Sequence, residues 1–176
     1  MKKFAQQQNN GGEHEMETLK KILDKILSTI CVVIFGALVV LVTWQVFTRF
    51  ILNNPSVFSE ELAKYCFVWL VLFGAAFVFG ENGHMRIEFI QDLLPTKLKM
   101  VTQVFIEISI ILFSALVLLS GGLTTTKLAW TQMSAALQVP VGYLYAAMPI
   151  SGAFIIFYCL YNIYVIFKTK KPLKIV

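Results

Sequence analysis

Two stretches without a single charged residue decide what this chain can fold into: 26–48, which is 23 residues, and 128–167, which is 40. A helix crosses the hydrocarbon core of a bilayer with about 20 apolar residues, each rising about 1.5 Å. A third run, Met100 to Gly122, holds one acid, Glu107, and a fourth, Tyr65 to Gly80, holds none. Of the 176 residues 57% are hydrophobic and 14% charged, where soluble domains carry about a quarter charged. In water such runs have too little polar surface to cover them. The sequence therefore predicts an all-α integral membrane protein of four transmembrane helices, with no room for a sizeable domain outside the bilayer.

The spans are expected at about 24–50, 59–81, 100–122 and 143–167, inside a membrane domain of 22–168. The second is the shortest, since 65–80 makes only about 24 Å of helix. It crosses if its helix begins near Ser59, with Glu60 and Glu61 in the first turn, where the helix dipole favours acids, and with Lys64 snorkelling to the headgroups. Asn54-Pro55 just before it reads as a turn. The 40-residue run is too long for one helix, and Pro140, with Gly142 beside it, is its expected break. That leaves 123–138 as an interfacial or partly inserted helix. A second interfacial helix is expected at 85–94, where Ile87, Ile90 and Leu94 recur at helical spacing among Arg86, Glu88, Gln91 and Asp92, ahead of Pro95. Residues 1–21, polar and rich in Gln, Asn and Gly over 6–17, are expected to form a disordered cytoplasmic tail, and 169–176 a basic one. The apolar segment after Lys25 is too long for the core of a signal peptide and ends in no small-residue cleavage site, so it reads as a retained first helix.

Lysine and arginine positions set the orientation. With the N-terminus inside, the cytoplasmic segments hold twelve: Lys2, Lys3, Lys20, Lys21, Lys25, Arg86, Lys97, Lys99, Lys168, Lys170, Lys171 and Lys174. The outer segments hold three, Arg49, Lys64 and Lys127. Positive charge in short loops is retained on the cytoplasmic side, so both termini are expected in the cytoplasm.

The formal net charge of +5 has the same origin: the basic residues sit beside apolar runs, and no nucleic-acid partner is expected. Cys31, Cys66 and Cys159 each lie inside an apolar run without a CxxC pair and read as small hydrophobes. Haem would need histidine pairs within the spans, whereas the two histidines are His14 in the tail and His84 in the polar loop. Glu81, His84, Glu88 and Asp92 would share a helical face at a spacing suited to a metal, but Gly83 interrupts that helix and the bland reading is a solvated loop face. No phosphate-cradling glycine loop, HExxH or GxSxG is present, so no cofactor, no metal and no enzymatic activity are expected.

Two charged sites remain. Glu107 lies about two turns into the third span, where an ionisable group is costly. It reads either as a carboxyl paired with a polar group of a neighbouring helix or partner chain, or as a proton or cation site of the kind used by small multidrug exporters. Arg49, Glu60 and Glu61 flank the first outer turn and read as a structural ion pair in the headgroup layer, or as an arginine on lipid phosphate.

WQVFTRFILNNP (44–55), SEELAKYCFVWLVLFGAAF (59–77), GHMRIEF (83–89) and SAALQVPVGYLYAAMPISG (134–152) together resemble the small four-helix membrane subunit of TRAP transporters, the DctQ-like family. The resemblance runs from about residue 26 to 167 with the landmarks in the family's order. Arg49, Pro55, Glu61, Gly74, Gly83, His84, Arg86, Pro140, Tyr143 and Pro149 match positions that the family pattern emphasises. The resemblance implies a non-catalytic scaffold in a bacterial inner membrane, beside a large membrane subunit that carries the substrate and sodium sites in an elevator-like moving domain. It implies a periplasmic substrate-binding protein delivering an organic acid, with sialic acid and C4-dicarboxylates both compatible and sialic acid the closer match overall. Phospholipids would surround its interfacial helices. A scaffold needs close-packing small residues, for which Gly36-Ala37, Gly74-Ala75-Ala76 and Ala146-Ala147 are the candidates. The competing reading is a stand-alone exporter with Glu107 as its proton-coupling acid.

Overall fold

The structure is a computed structural model that describes the backbone of residues 2–81 and 96–169, with side chains over 16–81 and 98–168. Four helices in it are long and apolar enough to cross a membrane: Met16–Phe50, Val57–Gly80, Leu98–Ala129 and Gly142–Lys168.

Helix α1, Lys2–Phe50, has 49 residues. The polar composition of 1–21 predicts a disordered tail, and here the structure differs, because α1 runs back to Lys2. No proline interrupts 2–50, and the Gln, Glu, Lys and Met of this stretch are good helix formers. Ion pairs one turn apart, Glu17–Lys21 and Lys20–Asp24, both at 2.8 Å, support its polar end. At its other end α1 closes on Asn53, which takes the left-handed conformation with φ 47°. Asn54 N donates to Thr48 O across the last turn at 3.1 Å, so two of the orphan carbonyls are satisfied there, Thr48 and Phe47.

Helix α2, Val57–Gly80, begins two residues earlier than expected, because Ser56 and not Ser59 is its cap, accepting from Ser59 N at 3.4 Å. Pro55 disfavours helical backbone at Asn54, and Ser56 is the first side chain after it able to accept. The 24 residues of α2 give about 36 Å, enough to cross.

The third rod has three parts: α3, Thr96–Phe113; a π-helical stretch, Ser114–Gly121; and α4, Gly122–Ala129. The expectation of a separate interfacial or partly inserted helix over 123–138 fails at this point. The chain continues the third rod through Ala129, and 130–141 folds back as a hairpin instead. Thr124, Thr125 and Thr126 turn their hydroxyls onto the carbonyls four residues back, at 3.0, 2.9 and 2.7 Å, so this polar-looking stretch stays helical without exposed donors. Pro140 then sits in the hairpin's bridge with Met133, just ahead of α5, Gly142–Tyr145, and α6, Ala147–Thr169. The interfacial helix expected at 85–94 lies outside the described residues.

Helix α1 packs on α2, α2 on α6, and α6 on the third rod. The core at the α1–α2–α6 junction is Leu27, Phe73, Ala76, Ile155, Tyr158 and Cys159, with the Phe73 ring edge-on to Trp69 and Phe154 at 5.1 and 6.1 Å. Burial is therefore uneven: 39% of the most apolar window of Gly142–Lys168 is buried, against 6% for Met16–Phe50. Helix four is the hub and α1 an outlying wall whose apolar sides are open.

The small residues that allow close approach are mostly not those expected. Ala76 and Ala147 are fully buried, but nothing lies within 4 Å of where a Cβ on Gly36 or Gly74 would be. The tight contacts fall at Gly80, whose missing side chain leaves space for the Tyr158 ring (2.7 Å from a built Cβ), and at Gly122 and Gly152, where the third rod meets α6.

Candidate functional site: a buried polar layer and a latched hairpin

Polar side chains that an apolar helix cannot leave facing lipid collect in two places. Inside the bundle, Gln103 and Glu107 on α3 and Asn162 on α6 are all at most 1% exposed. Asn162 Nδ2 donates to Glu107 Oε1 at 3.2 Å. The fully buried Cys159 thiol, one turn from Asn162, lies within hydrogen-bonding reach of the same carboxyl. The layer joins the third and fourth helices. Towards the Lys168 end of the bundle a second contact ties α1 to α6: Tyr158 Oη donates to Asp24 Oδ1 at 2.7 Å, while Lys20 Nζ holds Asp24 Oδ2 at 2.8 Å.

The second place is the opposite end, where the α1–α2 corner meets the hairpin of 130–141. Its backbone is fixed by Ser134 N to Val139 O at 2.9 Å and Val141 N to Gln132 O at 2.8 Å, with Gln138 left-handed at φ 55°. Turning the chain this way leaves the Ala136 and Leu137 N–H groups without carbonyl partners in the hairpin. Both point at Glu61 on α2: Ala136 N donates to Oε2 at 2.6 Å and Leu137 N to the same oxygen at 3.1 Å. Leu137 N also donates to the buried Ser134 Oγ at 3.2 Å, and that hydroxyl is within reach of the Glu61 carboxylate. An acid accepting from paired backbone N–H groups is a charge-assisted anchor. Beside it Trp69 Nε1 donates to Tyr143 O at 3.1 Å, and Trp130 and Tyr143 face each other at 5.1 Å.

These contacts revise the expected ion pair. Lys64 Nζ, one turn on, takes Glu60 at 2.9 Å, and the hairpin takes Glu61. Arg49 lies over the Phe50 ring, 5.8 Å from its centroid, and joins neither acid in an ion pair, although it is near enough to Glu60 to act on it through space. A Lys one turn away on the same helix reaches Glu60 with no ordering of the interhelical corner, which an Arg49 pair would require. Gly83, His84 and Arg86 lie outside the described residues, as do the His84, Glu88 and Asp92 of the weighed metal face. Among the described residues no group of three or more metal-binding side chains is brought together.

Sequence reasoning singled out Glu107 but not its partner. The signal was present: Asn162 is the one amide in 143–167, and it sits at a depth similar to Glu107 when both are counted from the same end of two antiparallel helices. The Glu61 anchor had no such signal, because its donors are backbone groups exposed only once 130–141 turns.

Comparison with known proteins places the chain in a family. Residues 38–169, 132 of the 176, match the family model described as "Tripartite ATP-independent periplasmic transporters, DctQ component". The chain is 30% identical over 154 residues to the sialic acid TRAP transporter small permease protein SiaQ of Vibrio cholerae, covering 88% of each. It is 25% identical over 144 residues to a putative TRAP transporter small permease protein of Haemophilus influenzae, 82% of this chain and 87% of that one. It is also 25% identical over 156 residues to the sialic acid TRAP transporter permease protein SiaT of Haemophilus influenzae, covering 89% of this chain but 24% of that longer one. The chain belongs to the DctQ family and is a small permease subunit of a TRAP transporter.

Proposed function

We propose that this subunit is the fixed, non-catalytic scaffold of a sodium-coupled, binding-protein-dependent transporter that imports an organic acid. It would anchor the stationary part of a large elevator-type membrane subunit, which holds the substrate and sodium sites. The observation that carries the reading is the match to SiaT: a unit the size of this chain makes up about a quarter of a single longer permease. The remainder of such a permease is the natural counterpart of a separate large subunit here. The exposed apolar wall of α1 supports this, since a helix so little buried within its own chain has surface to give to a neighbour. The buried Asn162–Glu107 contact, which joins the third and fourth helices, is the kind of polar tie that a scaffold uses.

The distribution of lysine and arginine supports an inner-membrane location with both termini in the cytoplasm and the hairpin end outside. Arg49 and the aromatic residues around the hairpin then lie at the level of phospholipid headgroups. Sialic acid is the first substrate to test, since the matched relatives SiaQ and SiaT carry it in their names.

The test is co-expression with the large membrane chain of the same transporter, mild-detergent purification and reconstitution. The two chains are expected to co-purify, and labelled organic acid, sialic acid first, is expected to accumulate only when both chains, the soluble component and a sodium gradient are present. Accumulation driven by the small subunit by itself, abolished by Glu107→Gln, would establish the exporter reading instead.

A further inference from the structure

We infer that Glu107 carries a bound proton and donates it in a hydrogen bond to Asn162 Oδ1, so that a proton site inside the bundle joins the third rod to α6 as a neutral acid–amide pair. The inference needs only that these helices cross a bilayer, and not the partnership proposed above.

Asn162 leaves one acceptor unserved. Its Nδ2 goes to Glu107 Oε1 at 3.2 Å, while its Oδ1 receives no hydrogen bond among the described residues, although Asn162 is only 1% exposed. A buried amide oxygen without a donor is costly. An ionised Glu107 cannot serve it, because a carboxylate only accepts. The Cys159 thiol, facing from α6, is engaged with the Glu107 carboxyl, and Gln103, one turn before Glu107 on α3, completes the layer. A carboxylic acid supplies the missing donor: one oxygen accepts from Nδ2, and the hydroxyl on the other donates to Oδ1.

Distance and charge agree with this. N–H bonds to ionised carboxylates run about 2.7–2.9 Å. Glu17, Asp24 and Glu60 each take a donor at 2.8, 2.8 and 2.9 Å, and Glu61 takes one at 2.6 Å. The Asn162 contact is longer, as between neutral groups. No lysine or arginine occurs in 26–48, 65–80, 100–126 or 143–167. Lys99 precedes Glu107 by about 12 Å along the helix axis. Lys168 follows Asn162 by about 9 Å, with its ammonium over the Tyr164 ring. In so apolar an interior a carboxyl takes up a proton sooner than it stays ionised.

The proton makes the joint depend on pH. The carboxyl of the unfolded chain is ionised at neutral pH, and the folded one holds its proton. The folded chain therefore binds one proton more, so its stability falls as pH rises, by about ten-fold in the folding equilibrium constant per pH unit. Glu107→Gln puts an amide N–H where the acid hydroxyl stood, which keeps both bonds and removes the dependence.

Infrared difference spectra of the full-length chain in proteoliposomes, wild type against Glu107→Gln, test the proton directly. At neutral pH the wild type is expected to show the carbonyl-stretch band of a protonated carboxyl, and Glu107→Gln is expected to remove it. Denaturant midpoints in mild detergent test the linkage. From mildly acidic to neutral pH the wild type should lose about ten-fold in folding equilibrium constant per pH unit relative to Glu107→Gln. Asn162→Leu should move the band to higher frequency, since the acid hydroxyl loses its acceptor. If Asn162→Leu does not fold, Asn162→Asp, of the same size, should replace the sharp band by the broad absorption of a proton shared between two carboxyls. No band lost in Glu107→Gln, or parallel pH curves for the two chains, overturns the proton. A band unmoved by the Asn162 variants overturns the pairing with Asn162. Failure of Glu107→Gln to fold overturns both, because the amide is predicted to take the acid's place.

Discussion

Gly122→Ala is expected to destabilise the subunit by about 1–3 kcal/mol, whereas Gly36→Ala, the same change on α1, is expected to be neutral or stabilising. In a helix interior alanine is favoured over glycine by about 1 kcal/mol, so on propensity by itself both variants should gain. Packing decides the difference. A Cβ on Gly122 would lie 2.9 Å from Met148 Cβ, 2.9 Å from Pro149 Cδ and 3.1 Å from Pro149 N. The proline ring cannot swing away, so the third rod and α6 must separate. A Cβ on Gly36 meets nothing within 4 Å. Gly152→Ala should behave like Gly122→Ala, since its Cβ would meet Leu118 Cβ at 2.8 Å, with Leu118 and Leu119 backbone at 3.4 Å. The two sites lie along one interface, so the double variant should cost less than the sum. Denaturant midpoints of the purified subunit in mild detergent provide the measurement. Gly122→Ala matching Gly36→Ala would show that these helices are not in the close contact described.

That interface also shows where the sequence was readable and where it was not. Charge-free runs announce helices that cross a membrane, because lipid imposes one rule on the backbone: every N–H and C=O must be satisfied within the segment. Four such helices were legible, and so was the break at Pro140. What the runs do not carry is the pairing of helices. Apolar residues face lipid and neighbour alike, so nothing in Gly36-Ala37 or Gly74 distinguishes an open face from a packed one. Gly122 and Gly152 become contact points only because α6 is the hub, a property of the assembled fold.

The ends of helices were harder for a local reason. Ser59 with two following acids has the composition of a helix start, yet Ser56 after Pro55 holds the cap at 3.4 Å. The stretch 123–129 looks interfacial by its three threonines and lysine, but their hydroxyls bond back along the helix and it extends the third rod. Arg49, Glu60 and Glu61 read as one cluster in the sequence because they flank one turn. Their true partners are a lysine one turn away and two backbone amides some 75 residues on, at |i−j| of 75 and 76. The nearer partner was visible in the sequence and outweighs the interhelical one on entropy. The distant pair was not visible, since backbone N–H groups carry no residue identity.

Asn162→Leu is expected to be the most damaging polar-to-apolar replacement within the spans. It is nearly isosteric, so little cavity forms, and its effect falls on Glu107, which is fully buried and loses the Nδ2 donor now 3.2 Å from Oε1. Leaving a buried polar group short of a partner costs about 1–3 kcal/mol, and about 3–5 when the group is charged. The worth of the bond itself is smaller: interhelical hydrogen bonds in membranes average about 0.6 kcal/mol by double-mutant cycles, with a maximum near 1.7. The two magnitudes predict a pattern that neither yields separately. Asn162→Leu should be strongly destabilising, Glu107→Gln mild, and the double variant Glu107→Leu with Asn162→Leu less damaging than Asn162→Leu by itself, because it removes the buried carboxyl that the single change deprives of its amide donor. The same variants separate the two roles open to Glu107. If the carboxyl serves only to hold α3 to α6, Glu107→Gln in the assembled, reconstituted transporter should keep at least half of wild-type uptake and, under the proposed sodium coupling, its dependence on the ion gradient. Uptake uncoupled from that gradient, in a complex that still assembles, would make Glu107 part of the transport chemistry and not of the scaffold.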